Sequence, residues 1–321
     1  MNYLLVMPRF VDTIGEWYHF PLGIPYVSSS MKQSGLRVFT LNMNSREGVT
    51  REIIAEEIRA HSIDVVLTGG LSFQYPAIRE ILQAAKEVDP RIVTVAGGGI
   101  ITSAPAAGME ALEFADYGIV GEGEETTPAL CHALECGEDV MAVEGIVYRD
   151  DGVWMRTKAR KEVADLDAIP FPDYEGFDFS KIAAMVPSLL GMNEDHAITM
   201  TTSRSCPFQC TFCFHTSGSH YRKRSLDNFF EELDLLVEKY LVGAAGVFLI
   251  DNSKIKQGSE VDGHLIHSPE ILDAEEIDTV VVPVVSLMST IEKQIHQAFP
   301  RVKNVINILD LVKPTDEKCV G

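Results

Sequence analysis

The sequence predicts an α/β protein whose N-terminal part is a doubly wound parallel sheet. Over residues 1–140, short apolar runs alternate regularly with longer runs that have helical periodicity. The apolar runs are continuous rather than alternating, which is typical of strands buried on both faces of a parallel sheet. Glycine-rich segments follow several of these runs, as the loops after parallel strands do. Together these observations indicate strand–helix units with helices on both faces of the sheet.

The elements follow one another in a simple order. The predicted strands are Tyr3 to Met7, Leu36 to Leu41, Asp64 to Thr68, Arg91 to Ala96 and Asp116 to Val120. The predicted helices are Pro21 to Ser34, Arg51 to Ala60, Ala77 to Val88, Ala106 to Phe114 and a last one ending at Cys136. Five such strands suit a flavodoxin-like sheet, in which ligands bind beyond the carboxyl ends of the strands.

Three glycine-rich segments fall at that one edge of the predicted sheet. They are Gly69-Gly70, Gly97-Gly98-Gly99 and Gly121-Glu122-Gly123-Glu124. Glycine lets the backbone approach a bulky ligand closely, and helix starts offer N–H groups. None of the three is a Gly-x-Gly-x-x-Gly fingerprint, so the pattern does not indicate a dinucleotide site. Each glycine cluster alone is typical of turns. With three clusters on one edge, ordinary turns and a ligand site are equally good interpretations.

The rest of the chain divides into three predicted segments. Residues 141–195 hold a β-hairpin around Gly145 to Gly152 and a proline-rich linker whose aspartates are expected to be solvated. Residues 196–252 open with a predicted strand, His196 to Thr202, and continue through a cysteine-rich loop, a helix from Ser225 to Tyr240 and a strand from Gly246 to Ile250. Residues 253–321 form a third segment of a different pattern.

Composition restricts the class of protein. The 321 residues include 27 basic and 47 acidic side chains, a net charge of −20, which argues against broad binding to nucleic acid or anionic membranes. The six cysteines lack the pattern of a small secreted domain, and they predict reduced thiols in a cytoplasm. The N-terminus does not have the pattern of a signal peptide, and no apolar run is long enough to span a bilayer.

Cys206, Cys210 and Cys213 form a Cys-x3-Cys-x2-Cys run directly after a predicted strand. Thiolate is the soft ligand that iron–sulfur clusters and zinc select. Three thiolates on a four-iron cluster leave one iron open to a small molecule. A closed zinc site is the alternative; it needs a fourth ligand, for which His215 is the nearby candidate, since the other cysteines are remote in sequence.

The thiol motif, with aromatic residues at Phe212 and Phe214, resembles that of the radical S-adenosylmethionine (SAM) enzymes. The resemblance implies that the three cysteines bind a [4Fe-4S] cluster whose open iron is chelated by SAM. It further implies that Asp251, at the end of the next strand, contacts the amino group of SAM. Arg222 and Arg224 stand where the family often has Arg-x-Arg-Ser, and both a surface role and a functional role remain open for them.

The N-terminal part resembles the cobalamin (B12)-binding domain found ahead of many radical SAM domains. The matching pieces include Pro21-Leu22-Gly23-Ile24, Asp64-Val65-Val66, the glycine segments and Ala115-Asp116-Tyr117. The resemblance implies that three loops hold the corrin and its nucleotide tail. Their residues are Thr68, Gly69, Gly70, Ser72, Gly97, Gly98, Gly99, Gly121, Glu122, Gly123 and Glu124. The Asp-x-His-x-x-Gly motif that supplies a cobalt ligand in classical domains is missing from this sequence.

The resemblance implies an enzyme that cleaves SAM reductively to a 5′-deoxyadenosyl radical and transfers a methyl group from cobalamin to an unactivated carbon of a small molecule. An electron donor is then required, and no catalytic residue is assigned. After Asn252 the radical SAM pattern stops, and residues 253–321 resemble half of a nucleotide-sugar Rossmann domain. The shortened barrel leaves two alternatives open, a non-catalytic cobalamin- or cluster-binding protein and a cobalamin-independent radical SAM enzyme. It also suggests a partner subunit that completes the barrel.

Overall fold

The computed structural model describes most of the chain. It covers all residues except 12, 14–17, 184–198, 207, 209, 211–212, 216–217, 241–248, 251–256, 259, 262–263, 275–278, 283–287, 303 and 308–321. The chain divides into two compact units. The first unit comprises Met1–Met185 and His196–Ser225, and the second comprises Val186–Asp195 and Leu226–Gly321.

The first unit is built on a seven-stranded, mostly parallel sheet. Its strands are β1 (Asn2–Met7), β2 (Arg37–Asn42), β3 (Val65–Gly69), β4 (Val93–Gly97), β5 (Tyr117–Ile119), β6 (Ile146–Asp150) and β7 (Val153–Arg156). The strand order is β2-β1-β3-β4-β5-β6-β7, and the first five strands are parallel. This is the order of a flavodoxin-like sheet, so the predicted doubly wound α/β fold is confirmed.

The predicted hairpin is also confirmed, and it extends the sheet. β6 pairs antiparallel with β5, and β7 pairs antiparallel with β6, so the hairpin supplies two edge strands. Asp151 and Gly152 make the turn, both with positive φ, as a tight hairpin turn requires. The segment after the glycine loops is therefore packed beside the parallel strands rather than lying apart from them.

Helices cover both faces of the sheet. They are α1 (Gly23–Gln33), α2 (Thr50–His61), α3 (Tyr75–Val88), α4 (Gly99–Thr102), α5 (Pro105–Ala111), α6 (Gly123–Cys136) and α7 (Phe179–Ala183). Leu4 and Val6 of β1 join a buried cluster with side chains of α2 and α3. The alternate residues Tyr3 and Leu5 are equally buried, and the Tyr3 hydroxyl donates to the carbonyl of Cys131 in α6. Because successive side chains of a strand point to opposite faces, β1 is buried on both.

Two sequence predictions need correction. The predicted helix Ala106 to Phe114 is α5, which ends earlier, at Ala111, and has Pro105 at its start, where proline is favoured; a further short helix that was not predicted, α4, precedes it. In the predicted strand His196 to Thr202, the described residues 199–202 form no strand. Their carbonyl oxygens accept side-chain and loop hydrogen bonds instead: Tyr174 donates to Thr199, and Arg224 to Thr201 and, through its backbone amide, Thr202.

The strands that flank the cysteine loop lie further along. β8 (Ser203–Arg204) and β9 (Arg222–Lys223) pair antiparallel and close a loop from residue 205 to 221. The predicted helix after this loop is confirmed as α8 (Leu226–Tyr240), the first helix of the second unit.

The second unit contains short strands and helices in its described parts. They are β10 (Leu249–Ile250), β11 (Glu260–Val261), β12 (His264–His267), α9 (Ile271–Ala274), β13 (Thr279–Val282), α10 (Met288–Ala298) and β14 (Asn304–Asn307). β12 pairs parallel with β10 and antiparallel with β11, and β13 pairs parallel with β14. Within the described ranges, every helix is too short or too polar to cross a lipid bilayer.

Candidate cofactor edge and thiol loop

The first two glycine segments meet at the carboxyl edge of the sheet. The Gly70 N–H donates to the carbonyl of Gly97 over 3.2 Å, and the Ile100 N–H donates to the carbonyl of Gly70 over 3.0 Å. Gly98 has φ +84° and ψ −167°, a conformation open essentially to glycine alone. A methyl group added there would lie 2.7 Å from the Gly70 carbonyl oxygen, so the close approach also requires glycine.

The third glycine segment joins the same edge. The Gly121 N–H, directly after β5, donates to the Thr102 hydroxyl at the end of α4 over 3.0 Å. The sheet thus brings together the loops that hold all the predicted corrin-binding residues. Their contact with a corrin stays a prediction, but the edge they form is the one where ligands of this fold bind.

The end of β3 and the turn that follows it carry buried polar groups that have no partner within the described structure. The Thr68 hydroxyl and the Gln74 side-chain nitrogen are each buried and make no hydrogen bond there. Ser72 begins the short helical turn between them, beside the exposed side chains of Leu71 and Phe73. A buried polar group without a partner costs about 1–3 kcal/mol. Spare hydrogen-bonding capacity and a glycine-lined approach both fit a large polar ligand at this edge.

Glu122 and Glu124 of the third loop have partners in the protein itself. Glu122 accepts hydrogen bonds from Arg204 over 2.9 Å and from Arg222 over 3.0 and 2.8 Å, and Glu124 accepts one from Arg204. The Arg204 guanidinium also lies 5.1 Å from the centre of the Tyr26 ring. The two carboxylates thus contact the stem of the thiol loop, which is the pair of strands β8 and β9. Their role in corrin binding stays a prediction.

These charges are buried, which makes their pairing consequential. The side chains of Glu122 and Arg222 are 7% and 9% exposed. Burial opposes ionisation of Glu122, but two guanidinium groups and a backbone amide outweigh it, so the pKa of Glu122 lies below its ordinary value of 4.5. Burial likewise opposes the charge of Arg204, yet Glu124 and Glu122 raise the pKa of that side chain. Glu122 and Arg204 are therefore both charged in the folded protein at neutral pH.

The three predicted ligand thiols lie on the loop that this stem carries. Cys206, Cys210 and Cys213 are all exposed and free, and the Cys213 N–H donates to the Cys210 carbonyl over 3.1 Å. The donor set has the soft chemistry that an iron–sulfur cluster requires. Among the described residues, however, no three His, Cys, Asp or Glu side chains are arranged as ligands of one metal ion. The chain offers the thiols on one accessible loop, and their convergence stays a prediction.

Two further cysteines of the described residues lie outside this loop. Cys131 is buried in α6 and Cys136 is exposed at the end of that helix, so neither belongs to the thiol loop. Asp251, the predicted SAM contact, lies outside the described residues, as does Cys319. Sequence reasoning missed Glu162 and the role of Arg204, because nothing in the sequence signals pairs formed across about 60–80 residues.

A cavity of about 190 Å³ lies between the third glycine loop and the thiol loop. Its lining includes Gly121 and Glu122, Arg160 and Glu162 of the segment after β7, and His215 of the thiol loop. The lining therefore combines residues from the carboxyl edge of the sheet with residues of the loop that carries the thiols.

Comparison with known proteins agrees with this architecture. Residues 12–131 match the B12 binding domain family. An uncharacterized methyltransferase of Pyrococcus horikoshii is 29% identical over 285 residues, 85% of this chain and 58% of the relative. The anaerobic magnesium-protoporphyrin IX monomethyl ester cyclase of Rubrivivax gelatinosus is 29% identical over 255 residues, 76% of this chain and 44% of the relative. The chain thus spans about half the length of these curated relatives.

Solved structures share the fold. TsrM of Kitasatospora setae, a radical SAM methyltransferase with tryptophan substrate and a SAM analogue bound, aligns at 18% identity with a TM-score of 0.54 over 74% of this chain and 46% of its own. The cobalamin-dependent SAM radical enzyme OxsB, with aqua-cobalamin and SAM bound, aligns at 17% identity with a TM-score of 0.63 over 87% of this chain and 38% of its own. The matched domain assigns residues 12–131 to the B12 binding domain family, and the chain is similar over most of its length to methyltransferases in sequence and to cobalamin-dependent radical SAM enzymes in fold.

Proposed function

We infer that this chain acts in a radical SAM enzyme of the cobalamin-dependent type that methylates an unactivated carbon of a small molecule. The observation that carries the proposal is one of placement. A loop with three exposed thiols in Cys-x3-Cys-x2-Cys spacing is held by buried ion pairs to the carboxyl edge of a B12-binding sheet. The named methyltransferases among its relatives support the same reaction class.

The roles of the residues follow from this placement. Cys206, Cys210 and Cys213 would hold the [4Fe-4S] cluster, and the loops that begin at Thr68, Gly97 and Gly121 would hold cobalamin. When bound, the cluster and cobalamin supply the electron that cleaves SAM and the methyl group that is transferred. Metal binding and local folding are coupled, so the thiol loop would take its liganded geometry with the cluster. Asp251 is proposed to orient SAM through its amino group.

The chain needs further components for turnover. An electron donor must reduce the cluster, and the proposal includes a partner subunit that completes the substrate side. A reducing cytoplasm is the proposed compartment, since it keeps the exposed thiols available as ligands.

Anaerobic reconstitution tests the cluster. The parent chain is expected to take up about four iron and four sulfide per chain and to show an iron–sulfur absorption band that changes when SAM is added. Cys210→Ala should lose the cluster, whereas Cys136→Ala should retain it, because Cys136 is equally exposed but lies outside the loop. A cluster that survives Cys210→Ala, or is lost in both variants, would contradict the assignment.

Corrin retention and SAM cleavage separate the remaining alternatives. The proposed enzyme retains cobalamin through gel filtration and forms 5′-deoxyadenosine from SAM with a reductant present. Corrin retention without 5′-deoxyadenosine supports the non-catalytic binding protein. Formation of 5′-deoxyadenosine without corrin supports the cobalamin-independent enzyme.

A further inference from the structure

Two arginines face each other across the stem of the thiol loop. Arg204 of β8 and Arg222 of β9 are directly paired in the antiparallel register, and each lies at the end of the loop that carries the cysteines. Like charges directly opposite on neighbouring strands destabilise the pair. The stem therefore depends on an anion placed between them.

Glu122 is that anion. Its carboxylate accepts from both guanidinium groups, over 2.9 Å from Arg204 and 2.8 Å from Arg222, and also from the Val163 N–H over 2.7 Å. The side chain is 7% exposed, so water screens these charges little. Glu124 adds a second carboxylate to Arg204, which leaves the group of buried charges balanced.

Glu162 fixes the other end of the loop in the same way. Its carboxylate accepts from the backbone N–H groups of Ser219 over 2.7 Å and His220 over 3.2 Å, and it lies 3.0 Å from the His220 ring. The Ser205 hydroxyl donates to the Gly218 carbonyl over 2.7 Å and closes the base of the loop. Both ends of the thiol loop are thus bound to residues of the B12-binding edge and of the segment after β7.

We propose that Glu122 is a positioning residue that fixes the thiol loop against the cofactor edge of the sheet, so that the separation of cluster and corrin is set by its two arginine contacts. The identity of the two cofactors rests on the proposed function. Glu122 stands directly after Gly121, whose N–H is bound by Thr102, so the same short loop contacts both the sheet edge and the thiol stem. A shift of this loop moves the two sites relative to each other.

The first test uses the cofactor-free chain and hydrogen exchange followed by mass spectrometry. Glu122→Gln should speed exchange in peptides covering residues 202–206 and 219–224 by about tenfold or more, since tenfold corresponds to about 1.4 kcal/mol of local opening. Glu144→Gln is the matched control, because the ion pair that Glu144 makes within the described residues is with the exposed Lys158 on the hairpin side. Unchanged exchange at the stem in Glu122→Gln overturns the proposal.

Arg222→Gln is a second variant for the case in which Glu122→Gln unfolds more than the stem. It leaves Arg204 with both of its carboxylates, so a milder loss is expected, with faster exchange confined to the stem. If Glu122→Gln also speeds hydrogen exchange in β1 and β3, Arg222→Gln becomes the deciding variant. Exchange at the stem of Arg222→Gln that equals that of the parent chain then overturns the proposal.

The second test reads the separation of the cofactors. In anaerobically reconstituted protein, cob(II)alamin speeds the electron-spin relaxation of the reduced cluster, an effect that falls steeply with distance. Glu122→Gln should keep the parent's iron, sulfide and corrin content yet shift the microwave power at half-saturation of the cluster signal, while Glu144→Gln should not. An unshifted value at full cofactor content overturns the positioning role. If the parent chain takes up no cluster or no corrin, the proposed function fails, and the hydrogen-exchange result still decides the role of Glu122.

Discussion

Replacing Gly98 with alanine tests whether the contact between the first two glycine loops requires glycine. Gly98→Ala faces two costs. Its backbone, with φ +84° and ψ −167°, lies in a region essentially closed to other residues, which costs about 3 kcal/mol. The new methyl group would also lie 2.7 Å and 2.8 Å from the carbonyl oxygen and the nitrogen of Gly70, and backbone atoms cannot rotate away. Overpacking of this kind costs about 1–3 kcal/mol.

Gly35→Ala is the matched control. Gly35 also has a positive φ, +87°, but no heavy atom lies within 4 Å of a methyl group added there. It follows α1 and precedes β2, which places it at the opposite edge of the sheet. The control therefore carries only the backbone cost, about 1–2 kcal/mol, from which the lower entropy of the unfolded alanine chain subtracts about 0.4–1 kcal/mol.

The two variants should differ by about 3 kcal/mol in the free energy of unfolding. With a urea m-value of about 2 kcal/mol per molar, the midpoint of Gly98→Ala should lie about 1.5 M below that of Gly35→Ala. Trp154 on β7 reports the sheet when Trp17 is replaced by phenylalanine, since the chain has 2 tryptophans. Equal midpoints for the two variants would refute the close approach of the loops. Retention of cobalamin should fall in Gly98→Ala alone.

Three further outcomes follow from buried groups of the first unit. The lowered pKa of Glu122 means that its stabilising contribution is complete above the ordinary carboxyl value of 4.5 and is lost as the pH falls through the lower folded value. The urea midpoints of the parent chain and Glu122→Gln should thus keep a constant difference from about pH 7 down to the ordinary value of 4.5 and converge as the pH falls further, and a difference that does not shrink below pH 4.5 would contradict this. Iodoacetamide should leave native Cys131 unmodified while the exposed loop thiols react, because burial and then Glu135 raise the pKa of the Cys131 thiol to about 12. Peptide mass spectrometry identifies the modified cysteines, and fast labelling of Cys131 would count against its burial. Thr68→Val should stabilise the cofactor-free chain by up to about 1 kcal/mol, because it removes a buried hydroxyl that has no partner in the described structure. The same variant should retain cobalamin less well. A lower free energy of unfolding in a urea titration would mean that the hydroxyl does have a hydrogen-bond partner.

Much of the first unit was predictable because its signals are local. Continuous apolar runs fix the strands, and the glycines after β3, β4 and β5 follow from strand ends that share one edge. The hairpin was predictable from its turn, but its place beside β5 was not, because pairing between distant strands leaves no mark in either sequence. The wrong strand before the thiol loop has a similar cause. Thr201 and Thr202 have β-branched side chains, yet their carbonyls are taken by Arg224.

The candidate site likewise has one part that local sequence patterns predict and another part that they do not. The thiol spacing is a local pattern, so the cysteines were found at once, and the glycine loops were found through the topology of the sheet. The pairing of Glu122 with Arg204 and Arg222 spans 82 and 100 residues, and a glutamate between two glycines has no feature that indicates such partners. Its place in a predicted corrin loop suggested a cofactor contact, whereas the structure gives it two protein cations.

The chemistry of this ion-pair group bears on why it is there. Replacing buried ion pairs with well-packed apolar side chains is often neutral or stabilising, so stability alone is a weak reason for two carboxylates and two guanidinium groups at this place. Hydrogen bonds to a guanidinium fix direction as well as distance, because its donors lie in a rigid plane. An apolar contact of the same area would hold the loop without defining its orientation. In the proposed enzyme an electron passes from the thiol loop and a methyl group leaves the sheet edge, so the orientation that Glu122 is proposed to fix would bear on both steps.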